Sequence, residues 1–321
     1  MKHIGMISGP GYHNNRGGLS RMRRFLAGIP ELRHEEVATP VDVARALSKF
    51  REANVRLVVV NGGDGTLSMV VTEVMLRRAV GDAAPLLAVL EGGRTNMSAG
   101  DFGCRGRPTR ALRRILRWAE RPGGDGDIVE RAVIRLTTSP ESPSRYGFFV
   151  GGGIIYHGSK GCWTFRETSV LPASETGLGT ALGVAAILGK LLVGKTPYPP
   201  VTVGVTADGV DLGARPWVAL FVTTLERMAL GIRPFWGEGD GPLRITGVPD
   251  PPRGVFLSAP WSLRGKPCRW TSPERGYTSL RARTAVLTHI DGVTLDGELI
   301  QPEDGQPMSL DATESLRFVR T

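Results

Sequence analysis

Apolar β-branched residues run from Val58 to Val60 and stop at Asn61. A glycine loop follows, Gly62-Gly63-Asp64-Gly65-Thr66, and then Leu67, Val70, Val71 and Val74 recur at helical spacing. The pattern predicts a buried strand, a tight loop and a helix start. A second strand, Leu86 to Leu90, also ends in a glycine loop, Glu91-Gly92-Gly93-Arg94-Thr95-Asn96. A third, at the N-terminus, runs into the polar stretch Ser8 to Gly18, which opens a basic helix from about Leu19 to Ala27. Between them, Thr39-Pro40-Val41-Asp42 predicts a capped helix: a hydroxyl cap, proline in the first turn and an acid three residues after the cap. Val43, Leu47 and Phe50 mark its buried face. Thr109 is the expected cap of a further helix that turns Leu112, Ile115 and Leu116 inward.

Strand and helix alternate through this first part, which argues for a parallel sheet with its site at the strands' carboxyl ends. Residues 121–127, Arg-Pro-Gly-Gly-Asp-Gly-Asp, are the clearest boundary. Beyond them the texture changes to short β-rich runs: Ala132 to Thr137, Tyr146 to Val150, Val201 to Thr206, Trp217 to Thr224, Val255 to Ser258 and Ser279 to His289. Ser174 to Val193 alone reads as a helix that lines or covers an apolar cleft, or packs on the sheet. The expected fold class is α/β plus all-β. Residues 1–124 form a parallel-sheet nucleotide-binding domain and 125–321 a β-sandwich, with the last strand free to pack back on the first domain.

Composition narrows this picture. With 321 residues, 41% of them hydrophobic, the chain can bury a large core and is more comfortable as two domains than one. No apolar run reaches the roughly 20 residues of a spanning helix, and the N-terminal apolar stretch is too brief for a signal peptide. Cys104, Cys162 and Cys268 are scattered and odd in number, so neither a disulfide framework nor a zinc site is indicated, and a cytoplasmic location fits. The net charge of +9 suits nucleotides or an anionic membrane surface, or simply solvated arginine-rich helix faces. The basic patches lack the interleaved aromatics of a nucleic-acid platform, which argues against that partner.

The glycine loops carry the chemistry. Glycine lets a ligand approach the backbone, and the free amides of a following helix offer donors to phosphate. Asp64, the only acid in its loop, is positioned to hold Mg2+ against such phosphates. The loop lacks the Lys-Ser or Lys-Thr of a P-loop and the spacing of a dinucleotide fingerprint.

Gly62-Gly63-Asp64-Gly65-Thr66 resembles the nucleotide loop shared by diacylglycerol kinases, sphingosine kinases and NAD kinases. Gly93-Arg94-Thr95-Asn96 resembles the Gly-Thr-x-Asn loop of the diacylglycerol kinase catalytic family, and Leu295-Asp296-Gly297-Glu298 its x-Asp-Gly-Glu element. The resemblance implies an ATP-dependent lipid kinase that transfers the γ-phosphate to a diacylglycerol or sphingoid-type hydroxyl. Gly62 to Thr66, Gly93 to Asn96 and, by its place in the chain, Thr39 would bind ATP. Asp64 would serve Mg2+, Asp296 would be the acceptor base, and Glu298 would orient it or join the metal shell. Such an enzyme would work peripherally at the inner membrane face, and a homodimer is compatible with the reading. The chain departs from the family at the first loop, Gly9-Pro10-Gly11, at Arg94 for threonine and at Met97 for aspartate. Met97 and the altered first loop support the alternative of a non-catalytic lipid- or nucleotide-binding homologue, whereas the retention of Asp64, Asp296 and Glu298 opposes it. An NAD kinase is a weaker alternative, since its later Asn-Glu pair is missing. Read locally, Asp296-Gly297 is a hairpin turn.

Overall fold

The computed structural model describes residues 3–9, 16–93, 96–120, 128–168, 200–228, 231–252, 254–303 and 305–321. The chain divides into two compact units. One comprises Met1–Arg131, Leu225–Gly231 and Ser315–Thr321; the other comprises Ala132–Thr224 and Ile232–Glu314.

The first unit is built on a six-stranded sheet. Its strands are β1 (Ile4–Ser8), β2 (Arg33–Glu36), β3 (Leu57–Gly62), β4 (Leu86–Glu91), β5 (Ile128–Ala132) and β17 (Ser315–Val319), in the order β2-β1-β3-β4-β17-β5. β1 runs parallel to β2 and β3, and β4 runs parallel to β3 and β17. Parallel strands need crossovers, and four helices supply them: α1 (Arg16–Leu26), α2 (Pro40–Glu52), α3 (Asp64–Ala79) and α5 (Pro108–Ala119), with the short α4 (Met97–Phe102) after β4. Met6, Val59, Ala88 and Leu90 pack against Met22 of α1 and Leu112 and Ile115 of α5. On the other face Gly5 leaves room for the Phe50 ring of α2, which a β-carbon would approach to 2.6 Å. β3 is therefore buried on both sides, which is why it reads as an unbroken apolar run.

The second unit is an antiparallel sheet in the order β15-β14-β8-β10-β9-β13-β16-β6-β7, with β11 paired to β10 and β12 to β11. These strands are β6 (Ile134–Thr137), β7 (Arg145–Gly147), β8 (Phe149–Gly153), β9 (Val201–Ala207), β10 (Val210–Thr223), β11 (Leu243–Pro249), β12 (Thr278–Ala282), β13 (Thr284–Thr288), β14 (Val293–Leu295), β15 (Glu298–Ile300) and β16 (Met308–Asp311). β10 pairs with β9 through its first half and with β8 and β11 through its second, so it curls the sheet. Its register shifts between Asp211 and Ala214, where Gly213 takes φ +78°. Val203, Val205, Leu220, Val222, Leu287 and Leu310 form the core of this unit. α6 (Ile154–Thr168) follows β8.

The fold class is thus α/β with a parallel sheet, followed by an antiparallel β-rich part. Two local readings need correction. Val255 to Ser258, expected as a strand, begins helix α7 (Val255–Ser262); its residues are apolar nearly all round, and such a run has no period to separate helix from strand. Thr109 is not a cap: α5 starts at Pro108, after Arg107, with no side-chain cap bond. The expected helix over Ser174 to Val193 lies outside the described residues.

Candidate active site

Register brings the loops together. Ser8 lies beside Asn61 and Glu36, and Gly62 beside Glu91, so the segments after β1, β2, β3 and β4 all leave from one edge of the first sheet. The strand order reverses between β1 and β3, the place where open α/β sheets form a crevice for ligands.

Two glycine loops meet there backbone to backbone. A β-carbon on Gly92 would come within 2.8 Å of the Gly62 nitrogen, and one on Gly93 would strike the Gly63 Cα. Gly62 and Gly9 both cover the Thr66 side chain, which is buried at 3% exposure; a β-carbon on Gly62 would reach it at 2.6 Å. Thr66 thus supports the loops from beneath. α3 begins at Asp64 with Gly63 as a cap residue that has no side-chain bond. Its first amides have no acceptor within the helix. A β-carbon on Gly65 would meet nothing within 4 Å, so the first turn is open on the side of Gly65.

Asp64 links the loops. Its carboxylate accepts from Met97 N at 3.2 Å and Ser98 N at 3.0 Å, which caps α4 from another element. Asn96 closes the second loop on itself, accepting from Gly93 N at 2.8 Å and donating to Gly93 O at 3.0 Å while holding φ +49°. Asparagine tolerates that left-handed conformation better than most residues. Arg94 and Thr95 lie outside the described residues. Thr39 caps α2 as expected: Oγ1 accepts from Asp42 N and donates to Asp42 Oδ2 at 2.8 Å, and Thr39 N donates to the same carboxylate. These bonds hold the Asp42 carboxyl below the usual carboxylate range.

The sequence did not point to a polar bridge beneath these loops. Asn61 Nδ2 donates to Ser8 Oγ at 3.1 Å, and His34 Nε2 lies 2.9 Å from the same oxygen. Three neighbouring strands are joined by one hydroxyl, and burial pushes the His34 imidazole down from its ordinary value. Only the parallel register could have revealed it. A cavity of about 420 Å³ also opens beside Asn61, between α1 and the start of α5, lined by Arg21, Arg107, Arg110 and Arg113. The arginine clusters read from the sequence as charge alone thus converge on a space suited to an anion. Asp101, also missed, is buried and accepts from Arg131 Nε at 3.0 Å and Glu226 N at 3.1 Å, fastening Leu225–Gly231 to the first unit.

In the second unit, Asp296 and Gly297 are the two turn residues of the β14–β15 hairpin, where Leu295 pairs with Glu298. Both take positive φ, +49° and +94°, as a tight two-residue hairpin requires. Yet the Asp296 carboxylate does not face solvent. It is 5% exposed and accepts from Phe148 N and Phe149 N, each at 3.0 Å, while Asp296 N donates to Phe149 O. Glu298 is exposed and pairs with Arg145 at 3.2 Å.

Residues 12–128 match the model of the diacylglycerol kinase catalytic domain, the family whose resemblance was read from the sequence. A diacylglycerol kinase from Bacillus anthracis str. Sterne superposes with a TM-score of 0.62 at 16% identity, covering 100% of this chain and 97% of the other. A second structure from that organism, also carrying a diacylglycerol kinase name, gives 0.66 at the same identity and coverage. At 16% identity these likenesses bear on the fold alone. An NAD kinase from Archaeoglobus fulgidus, solved with ATP, reaches only 0.48 at 10% identity, covering 98% of this chain and 93% of its own, and carries no argument. No curated protein matches the sequence.

Proposed function

We propose that this chain is an ATP-dependent lipid kinase that phosphorylates a diacylglycerol or sphingoid-type hydroxyl. The observation that carries the reading is the back-to-back packing of the Gly62-Gly63 and Gly92-Gly93 loops around the open first turn of α3. A triphosphate is the ligand such a cradle suits: the amides of Asp64, Gly65 and Thr66, at the start of α3, have no acceptor within the helix, and Gly65 puts no β-carbon in the way. Thr39, the cap of α2, and the loop closed by Asn96 would flank the nucleotide.

Mg2+ fits less directly. Among the described residues no three acids, histidines or cysteines cluster into a ligand set. A magnesium ion that keeps several waters and is held chiefly by substrate phosphates needs only one or two protein carboxylates, and Asp64 is the acid at hand. Its two amide bonds leave further lone pairs on both oxygens. Bound there, the ion would neutralise charge on the transferred phosphoryl group.

Transfer joins the acceptor oxygen to the γ-phosphorus, breaks the bond to the β-phosphate and releases ADP and the hydroxyl proton. Asp296 is the proposed acceptor of that proton, held rigidly by Phe148 N and Phe149 N. Glu298, ion-paired and exposed, fits a supporting role. Among the described residues no helix is long and apolar enough to cross a membrane, and we read the enzyme as meeting its lipid from an anionic bilayer surface.

Incubation of the pure protein with labelled ATP, magnesium and a panel of lipids in mixed micelles tests this, with free NAD as a parallel acceptor. Label is expected in diacylglycerol or a sphingoid base. Label only in NAD, or in no lipid at all, would overturn the proposal, the second outcome favouring a binding protein that has kept the fold.

A further inference from the structure

Between β11 and β12 the chain leaves the sheet of the second unit and forms α7 and the segment after it. From Pro251 to Pro273 it carries four cations, Arg253, Arg264, Lys266 and Arg269, and no acid. Ser258 faces inward, buried at 1% exposure; its Oγ donates to Val255 O, and its side chain is hydrogen-bonded to the Tyr277 hydroxyl. Leu257 and Trp261, one helical turn apart, face outward at 55% and 50% exposure, and Leu263 follows at 42%. Pro260 between them is exposed as well. Single exposed apolar residues are ordinary, whereas three large ones within seven positions, a tryptophan among them, mark a contact surface.

The cations are gathered at the same place. Gly254 at the start of α7 sits on Trp270, where a β-carbon would come within 2.9 Å of the ring. Arg269 and Arg275 hold their guanidinium carbons 5.0 Å and 4.5 Å from the centre of that ring. Arg264 and Lys266 are exposed next to Leu263. A second copy of the chain would bring Arg264, Lys266, Arg269 and Arg275 against the same four cations, with Glu274 beside Arg275, so self-association through this face is opposed by net charge. An anionic bilayer offers what is complementary: an apolar layer for the leucines and an indole, and negative headgroups for the ring of cations.

We propose that α7 and the segment up to Trp270 form a membrane-docking surface. Leu257, Trp261 and Leu263 enter the interfacial layer, and Arg264, Lys266 and Arg269 lie at headgroup level. This deepens the lipid-kinase reading by naming the face that meets the acceptor's bilayer. Its test reads binding rather than turnover.

The protein is sedimented with vesicles of phosphatidylcholine alone and of an equimolar phosphatidylcholine and phosphatidylglycerol mixture, and indole emission is recorded alongside. Wild type should bind the mixed vesicles in preference and shift its emission to shorter wavelength. Leu257→Ser with Trp261→Ser should weaken that binding about tenfold or more, the scale expected for two large apolar side chains withdrawn from an apolar phase. Arg264→Glu with Lys266→Glu should weaken it comparably, and rising salt should abolish it in wild type as exposed charges are screened. All four positions are exposed, so the melting temperature should stay at the wild-type value. Wild-type binding that is absent, or equal on neutral vesicles, would overturn the proposal. So would variants that bind as wild type does, or a wild-type dimer that the Leu257→Ser, Trp261→Ser variant loses. Turnover on lipid in detergent micelles fails or succeeds independently of all these outcomes.

Discussion

Two aspartates, each followed by glycine, sit in different units and do related things. Asp64 and Asp296 both turn their carboxylates to two backbone amides, Met97 and Ser98 in one case and Phe148 and Phe149 in the other. Asp64 stands half-buried at the open start of a helix and ties one glycine loop to the helix that follows the next. Asp296 is nearly inaccessible, in a left-handed turn, and ties a hairpin to a strand. The same dipeptide therefore marks a helix start in one place and a hairpin in the other, and in both its acid is a cross-link before it is anything else. A proposed catalytic role for either has to be separated from that structural one.

The largest separation should come at Asp296. Asparagine suits the same turn but offers one acceptor where two amides need it, so Asp296→Asn should cost about 1–3 kcal/mol in stability. If the residue also takes the acceptor's proton, turnover should fall by roughly 10²–10⁴ beyond any loss of folded protein, with ATP affinity unchanged. Unfolding and single-turnover measurements on one preparation distinguish the two, and a variant that merely melts earlier would leave Asp296 as a cross-link. Glu298→Gln removes half of an exposed ion pair, a change of about 0–1 kcal/mol at most. It should alter turnover far less than Asp296→Asn does.

Asp64→Asn sharpens the other side of the comparison. The loss of one amide bond to α4 should cost on the order of 1 kcal/mol. A charge acting on the phosphates should show as a loss of about 10²-fold or more in turnover. Equal turnover with a lower melting point would reduce Asp64 to its capping role.

Gly93→Ala probes the loop packing without touching either acid. Its β-carbon would meet the Gly63 backbone, which has no rotamer to escape into, so a loss of about 1–3 kcal/mol is expected on thermal unfolding. An unchanged midpoint would mean the loops do not pack as described.

The smallest effect concerns His34 under the loops. Burial holds its folded pKa below the ordinary value, so the unfolded chain binds the proton first as pH falls. Stability is full above about pH 6.5 and is lost progressively as pH drops through the window down to the lowered folded value. His34→Gln should flatten that acid limb of the stability curve. An identical limb in the variant would assign it to other groups.

How much of this was legible follows from where each signal lies. The β3 loop and α3 could be read because burial on both faces of β3 makes a continuous apolar run, and the Thr39–Asp42 cap because all its partners lie within four residues. The Asp296-Gly297 hairpin was equally local. β2 was not legible: Arg-His-Glu-Glu is an edge strand with no apolar period, fixed by pairing with β1. β17 joins β4 from the far end of the chain, and Ser8, His34 and Asn61 meet only through strand register. α7 was misread because its outward face is apolar too, the feature that makes it a candidate contact surface.

The central claim is that the open first turn of α3 receives the phosphates, and Gly65 tests it most directly. A β-carbon there meets nothing within 4 Å of protein, so Gly65→Ala should leave the melting temperature unchanged or slightly higher, since alanine is the better helix residue. If the amides of that turn hold a triphosphate closely, the added methyl occupies the ligand's space, and calorimetric ATP affinity should fall about tenfold or more. A Gly65→Ala variant that is equally stable and binds ATP as tightly as wild type would contradict the account.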